Sequence, residues 1–186
     1  MITRFVNDLT EILEEDAKTS LVLLGIRMFS FRQAERKHPL RAFDMGITEQ
    51  NAIGFAAGLA REGIVPFVHT WSPFLIERAF DQLRLFGSQD LCGNFIGAGA
   101  SYELTDFGES HYCPEDAPIL KQIRNMQIIV PGTAEEFSKL FRSIYNNGHP
   151  TYYRLSQTQN ANTVLVKFGK ADVLQRGKKG TVLALM

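Results

Sequence analysis

Apolar residues at Phe5, Leu9, Ile12 and Leu13 recur at the spacing that puts them on one face of a helix, and Asp16 to Thr19 close that segment. Leu21 to Leu24 is an unbroken apolar run, the pattern of a strand covered on both sides. A polar stretch of helical composition, Arg32 to His38, is closed by Pro39, and Arg41 to Phe43 reads as a short strand. Thr48 is placed to cap a helix running through Asn51, Ala56, Ala57 and Leu59 to Glu62, which Gly63 stops. Ile64 to His69 then reads as a strand, Phe74 to Phe86 as a helix, Leu91 to Ile96 as a strand and Gly97 to Cys113 as a long polar loop. Pro114 to Ile123, Met126 to Val130, Ala134 to Tyr145 and Thr151 to Leu155 give helix, strand, helix, strand.

This alternation predicts an α/β fold, a three-layer, doubly wound and mostly parallel sheet with helices on both faces. The last stretch has a different pattern. Lys170 to Leu174 and Thr181 to Met186, around Gly177-Lys178-Lys179-Gly180, read as two strands about a turn. Residues 1–160 are therefore expected to form one module, and 161–186 a linker and the truncated beginning of a further domain.

Composition narrows the functional classes. The 186 residues carry twenty basic and twenty acidic side chains, with no basic face visible in the linear sequence, which argues against a nucleic-acid partner. The apolar runs are far shorter than a membrane span, and the N-terminus lacks the basic-then-apolar order of a signal sequence, so the expected location is the cytoplasm. Cys92 and Cys113 form neither a disulfide framework nor a metal-site spacing, and no metal ligands are expected in this chain.

In an open parallel sheet, ligands bind beyond the carboxyl ends of the strands. Asp44 to Asn51, His69 to Phe74 and the Gly97–Cys113 loop should converge there, bringing a carboxylate, aromatic rings and a histidine to one edge. The run from Phe43 to Ala60, with Gly46-Ile47-Thr48-Glu49-Gln50-Asn51 at its centre, resembles the central domain of transketolases and 1-deoxyxylulose-5-phosphate synthases. Arg78-Ala79-Phe80-Asp81-Gln82-Leu83-Arg84, Gly108-Glu109-Ser110-His111 with Glu115-Asp116, Asn125-Met126 leading to Pro131, and Pro150 to Arg154 extend the resemblance in collinear order.

The resemblance implies a pyrimidine-binding module of a thiamine diphosphate enzyme. Glu49 would hydrogen-bond the aminopyrimidine nitrogen para to the amino group, favouring the imino tautomer that activates the cofactor. Burial against aromatic walls would favour the protonated acid this role needs. Phe74 and Phe80 match the aromatic pair that walls the aminopyrimidine, and Met28 would prop the bent cofactor near Gly25. His111 matches the histidine that faces the thiazolium and handles substrate protons, work suited to a side chain that titrates near neutral pH. Without that context, Glu49 is an ordinary first-turn acid and either phenylalanine ordinary core.

The chain also departs from the family. Phe107 stands where transketolases carry an aspartate that reads a sugar hydroxyl. Gln157 replaces the arginine that grips the substrate phosphate, and an amide cannot offer that charged fork. Arg154 is near enough in sequence to act in its place. Ile26-Arg27 replaces an acidic-apolar pair. No Gly-Asp-Gly motif for magnesium and diphosphate occurs. The expectation is the C-terminal-type subunit of a split transketolase, moving a two-carbon ketol unit between sugars. Mg2+ and diphosphate would be held by a partner subunit in a dimer or heterotetramer. A synthase-like or 2-oxo acid dehydrogenase β-like enzyme and a non-catalytic pairing module remain open.

Overall fold

The computed structural model describes residues 1–26, 28–161, 165–170, 173 and 176–180. Six strands form one sheet, every described pairing parallel: β1 (Thr19–Leu23), β2 (Ala42–Asp44), β3 (Val65–Trp71), β4 (Gly93–Ala98), β5 (Gln127–Ile129) and β6 (Pro150–Leu155), in the order β2-β1-β3-β4-β6-β5. Each of the six strands expected between Leu21 and Leu155 is present. The two strands expected after Lys170 fall largely outside the described residues.

Helices cover both faces of the sheet, as doubly wound topology requires. On one face α1 (Ile2–Glu15) and α7 (Ala134–Ile144) enclose a core of Phe5, Leu9, Ile12, Leu13, Phe137 and Phe141. Phe5, fully buried, is ringed edge-on by Phe31, Phe137, Phe141 and His69. His69 is therefore part of the core and does not reach the sheet edge. Arg4, which donates to Ser138 Oγ at 2.7 Å, and Arg142, paired with Glu11 and Glu15, tie the two helices together. On the other face α3 (Glu49–Arg61), α5 (Phe80–Ser88) and α6 (Asp116–Leu120) bury Ala52, Ile53, Ala56, Leu83, Phe86 and Leu120. Helix α2 (Met28–Lys37) connects β1 to β2.

The expected Phe74–Phe86 helix is broken. It divides into α4 (Ser72–Ile76) and α5, with a turn at 77–79. Gln50 Nε2 donates to the Arg78 carbonyl at 3.0 Å, an oxygen that a continuous helix would keep for its own ladder. Phe80 consequently opens a helix and does not lie in the middle of one. The Gly97–Cys113 segment is also more ordered than a plain loop. Ser101 and Cys113 form an antiparallel bridge, and short 3-10 turns span Thr105–Phe107 and Glu109–His111.

From β1 the chain steps outward to β2 and then crosses to β3 on the other side, so the topological switch lies between β1 and β3. The carboxyl ends of these strands lead into α2, α3 and α4, the segments that carry the predicted chemistry. Among the described residues, no helix is long and apolar enough to cross a membrane.

Candidate functional site

Asp44, at the end of β2, fixes the backbone at the switch point. Its Oδ1 accepts the N–H groups of Gly25 at 3.1 Å and Gly46 at 3.0 Å, joining the loop after β1 to the loop before α3. Both glycines have left-handed backbone (φ 71° and 65°), which a side chain would disfavour. Thr48 occupies the position before α3, but its hydroxyl donates to the Met45 carbonyl at 3.0 Å and makes no cap bond to the helix. The carboxylate at the start of this helix is Glu49, which suits the positive end of the helix dipole.

Glu49 is 3% exposed, and its Oε1 accepts a hydrogen bond from Arg78 Nη1 at 3.0 Å. The Arg78 guanidinium lies over the Phe74 ring, 4.1 Å from its centroid. Phe74 in turn meets His111 edge-on at 4.9 Å, and His111 contacts Phe107 at 5.2 Å. Ser110 Oγ is 3.0 Å from His111 Nδ1. Gly108, at φ 82°, makes the reversal between the two 3-10 turns that presents this histidine. Acid, guanidinium, phenyl ring and imidazole thus form a continuous row at the carboxyl edge of the sheet.

The other expected site residues are distributed differently. Phe80 is half-buried and packs against the core beneath α3 and α5. Met28 opens α2, and its side chain lies outside the described residues. Arg154, near the end of β6, forms an ion pair with the buried Asp116 (Nε to Oδ2, 2.8 Å), and its Nη2 donates to Ser101 Oγ at 3.0 Å. Tyr152 donates to the same Asp116 carboxylate at 3.0 Å and lies 3.1 Å from Ser72 Oγ. Burial pushes Asp116 above the ordinary carboxylate range, while Arg154 and the Ala117 N–H act in the opposite direction. Gln157 follows β6, and its backbone N–H is bound by Glu103.

Burial also pushes both free thiols, Cys92 and Cys113, up, and the carboxylates of Asp116 and Glu77 add to the effect at Cys113. Thiolate chemistry at neutral pH is therefore disfavoured at both cysteines. Among the described residues, no group of three or more His, Cys, Asp or Glu side chains could hold a metal ion.

Sequence reading did not single out Arg78 as Glu49's partner, nor Glu103 or the Asp116–Tyr152 pair. Arg78 stood within a quoted motif, but no local spacing connects it with an acid twenty-nine positions earlier.

The family described as "Transketolase, pyrimidine binding domain" matches residues 13–162. An uncharacterized 33.6 kDa protein in the fasciation locus of Rhodococcoides fascians is 34% identical over 186 residues, covering all of this chain and 60% of that protein. The 1-deoxy-D-xylulose-5-phosphate synthase of Albidiferax ferrireducens is 34% identical over 157 residues, covering 81% of this chain and 24% of the synthase. A solved structure described as a split gene transketolase, inactive beta4 tetramer, superposes with a TM-score of 0.74 at 27% identity, covering 86% of this chain and 52% of that one. The chain spans only part of each of these proteins.

Proposed function

The chain belongs to the transketolase family through its pyrimidine-binding domain, and from that premise we propose that it is the C-terminal-type subunit of a split, thiamine diphosphate-dependent transketolase. Its reaction transfers a two-carbon ketol unit from a ketose to an aldose. The observation that carries this reading is the position of the Arg78 guanidinium, with one edge on the buried Glu49 carboxylate and one face on Phe74. A planar nitrogen-bearing group is already held there by an acid and an aromatic wall. An aminopyrimidine needs the same two contacts, so the residues present fit the cofactor's heterocycle once Arg78 moves aside.

Thiamine diphosphate supplies the carbanion chemistry when bound. In this reading Glu49 holds a proton at the ring nitrogen, and its 3% exposure keeps competing water away. Phe74 orients the flat ring. His111, in edge contact with Phe74, is positioned to move a proton on the substrate side. Phe80 and Met28 are assigned supporting places around the cofactor. Magnesium and diphosphate would be held by another subunit. The likeness to a chain described as a split gene transketolase, inactive beta4 tetramer, supports that division.

A binding prediction follows. A ligand at a hundred times its dissociation constant stabilises the native state by about 2.7 kcal/mol. The isolated chain with magnesium and micromolar thiamine diphosphate should show no such gain in a thermal melt, whereas the assembled enzyme should. A large melting shift without a partner would overturn the divided site.

The reaction itself is tested in the assembled enzyme by supplying a ketose with an aldose, and separately pyruvate with an aldose phosphate. Ketol transfer in the first mixture supports the transketolase reading. Carbon dioxide release in the second alone would favour the synthase chemistry of the Albidiferax relative.

A further inference from the structure

Beyond β6, residues 156–158 turn sharply, and their polar groups gather around one side chain. Both oxygens of Glu103 accept from the Gln157 N–H, at 3.0 and 3.1 Å, and the Ser156 hydroxyl donates to the same carboxylate. Thr158 N–H is bound to Ser156 Oγ at 3.1 Å. Such a turn, with N–H and hydroxyl donors converging beyond a strand's carboxyl end, is a place where an anion is readily held. Here an internal carboxylate already occupies it.

Glu103 also lines a pocket of about 260 Å³, together with Ser101, Gly132, Arg154, Ser156 and Thr158. The pocket adjoins the His111 segment, because the carbonyl of Ser101 accepts the Cys113 N–H at 3.0 Å. Its cation, Arg154, is already neutralised by Asp116 at 2.8 Å. With that pair cancelled, Glu103 is the charged side chain left among the pocket's lining residues. An entering phosphate would meet a like charge and find the turn's donors engaged. A hydroxyl-bearing, uncharged group would meet no such penalty and could use Ser101, Thr158 and Arg154 as partners.

We propose that Glu103 is a specificity-determining residue, which holds the anion-binding turn from within so that this pocket receives the neutral polyol end of a sugar and rejects a phosphorylated one. The inference deepens the transketolase reading and rests on it for the identity of the occupant. The occupancy of the turn can be tested apart from any catalysis.

The full-length chain, labelled with 15N, is titrated with inorganic phosphate as the parent, as Glu103→Gln and as Glu103→Ala. The expected result is no saturating shift of the Gln157 and Thr158 amides in the parent, and binding at least about tenfold tighter in a variant that keeps the parent's spectral dispersion, the factor that one charge-assisted hydrogen bond supplies. In the assembled enzyme, kcat/KM is compared for matched phosphorylated and plain aldoses. The parent should show no strong preference for phosphate, and Glu103→Gln combined with Gln157→Arg should shift the ratio towards the phosphorylated sugar by about tenfold or more. Saturable phosphate binding at Gln157 in the parent would overturn the proposal. So would a strong phosphate preference in the parent, or variants that gain neither binding nor ratio. If no sugar is turned over at all, the catalytic reading fails and the phosphate titration decides the role of Glu103 by itself.

Discussion

Glu49→Gln, in the enzyme assembled with its diphosphate-binding partner, is expected to lower turnover by at least about a hundredfold, the low end for a general acid-base group. That loss corresponds to about 2.7 kcal/mol of transition-state stabilisation. Glutamine keeps the length of the side chain, and its carbonyl oxygen can still accept from Arg78 Nη1, so the row from residue 49 to His111 should persist. The amide cannot hold and return a proton at the heterocycle's nitrogen. Folding should change little, because Arg78 is 45% exposed and solvent screens its pairing with Glu49. Steady-state turnover measured beside the assembly state by light scattering separates the two effects. Near-normal turnover in an intact complex would mean that Glu49 is only a first-turn acid, held by Arg78 for structural reasons.

The order of elements was legible because parallel strands buried on both faces read as apolar runs, and among the described residues every strand of the sheet pairs parallel. Leu21 to Leu24 is an example. The Glu49 segment was legible for a different reason, since its chemistry lies within one continuous run of sequence. The break after α4 was not, because it depends on Gln50, twenty-eight residues before the carbonyl it binds. Gln157 shows the same limit. Its side chain suggested only a missing cation, whereas the structure engages its backbone N–H with Glu103, fifty-four residues away. Arg154 looked available as a replacement cation, and only the fold shows that Asp116 already claims it. A local pattern identifies candidate acids and rings, but partners separated by this much sequence become evident only when the strands are aligned.

Arg154→Met should destabilise the chain by about 3 kcal/mol at neutral pH, the low end for breaking a buried ion pair by removing one partner. Methionine restores most of the packing volume, so the loss belongs chiefly to the charge left behind. Asp116 is essentially inaccessible, and its other ligands are the Tyr152 hydroxyl and the Ala117 N–H. Burial already raises its pKa above the usual carboxylate value, and Arg154 is the largest influence lowering it. A carboxyl with a raised folded-state pKa binds its proton more tightly in the native state than in the unfolded chain. The stability it contributes is therefore fully present below the unfolded value and is lost as pH rises through the folded one. Removing Arg154 raises the folded value further and widens that window upward. The gap between variant and parent should thus be largest at neutral pH and shrink as pH falls through the variant's raised folded value, where Asp116 takes up a proton. Urea unfolding at a series of pH values measures this gap directly. Adding Asp116→Asn to Arg154→Met should recover much of the loss at neutral pH, since the amide oxygen can still accept from Tyr152 or Ala117. A gap that stays constant with pH and is not rescued by Asn would mean that Arg154 stabilises the fold by packing alone. In that case the charge balance assigned to the pocket beside Glu103 would need to be redrawn.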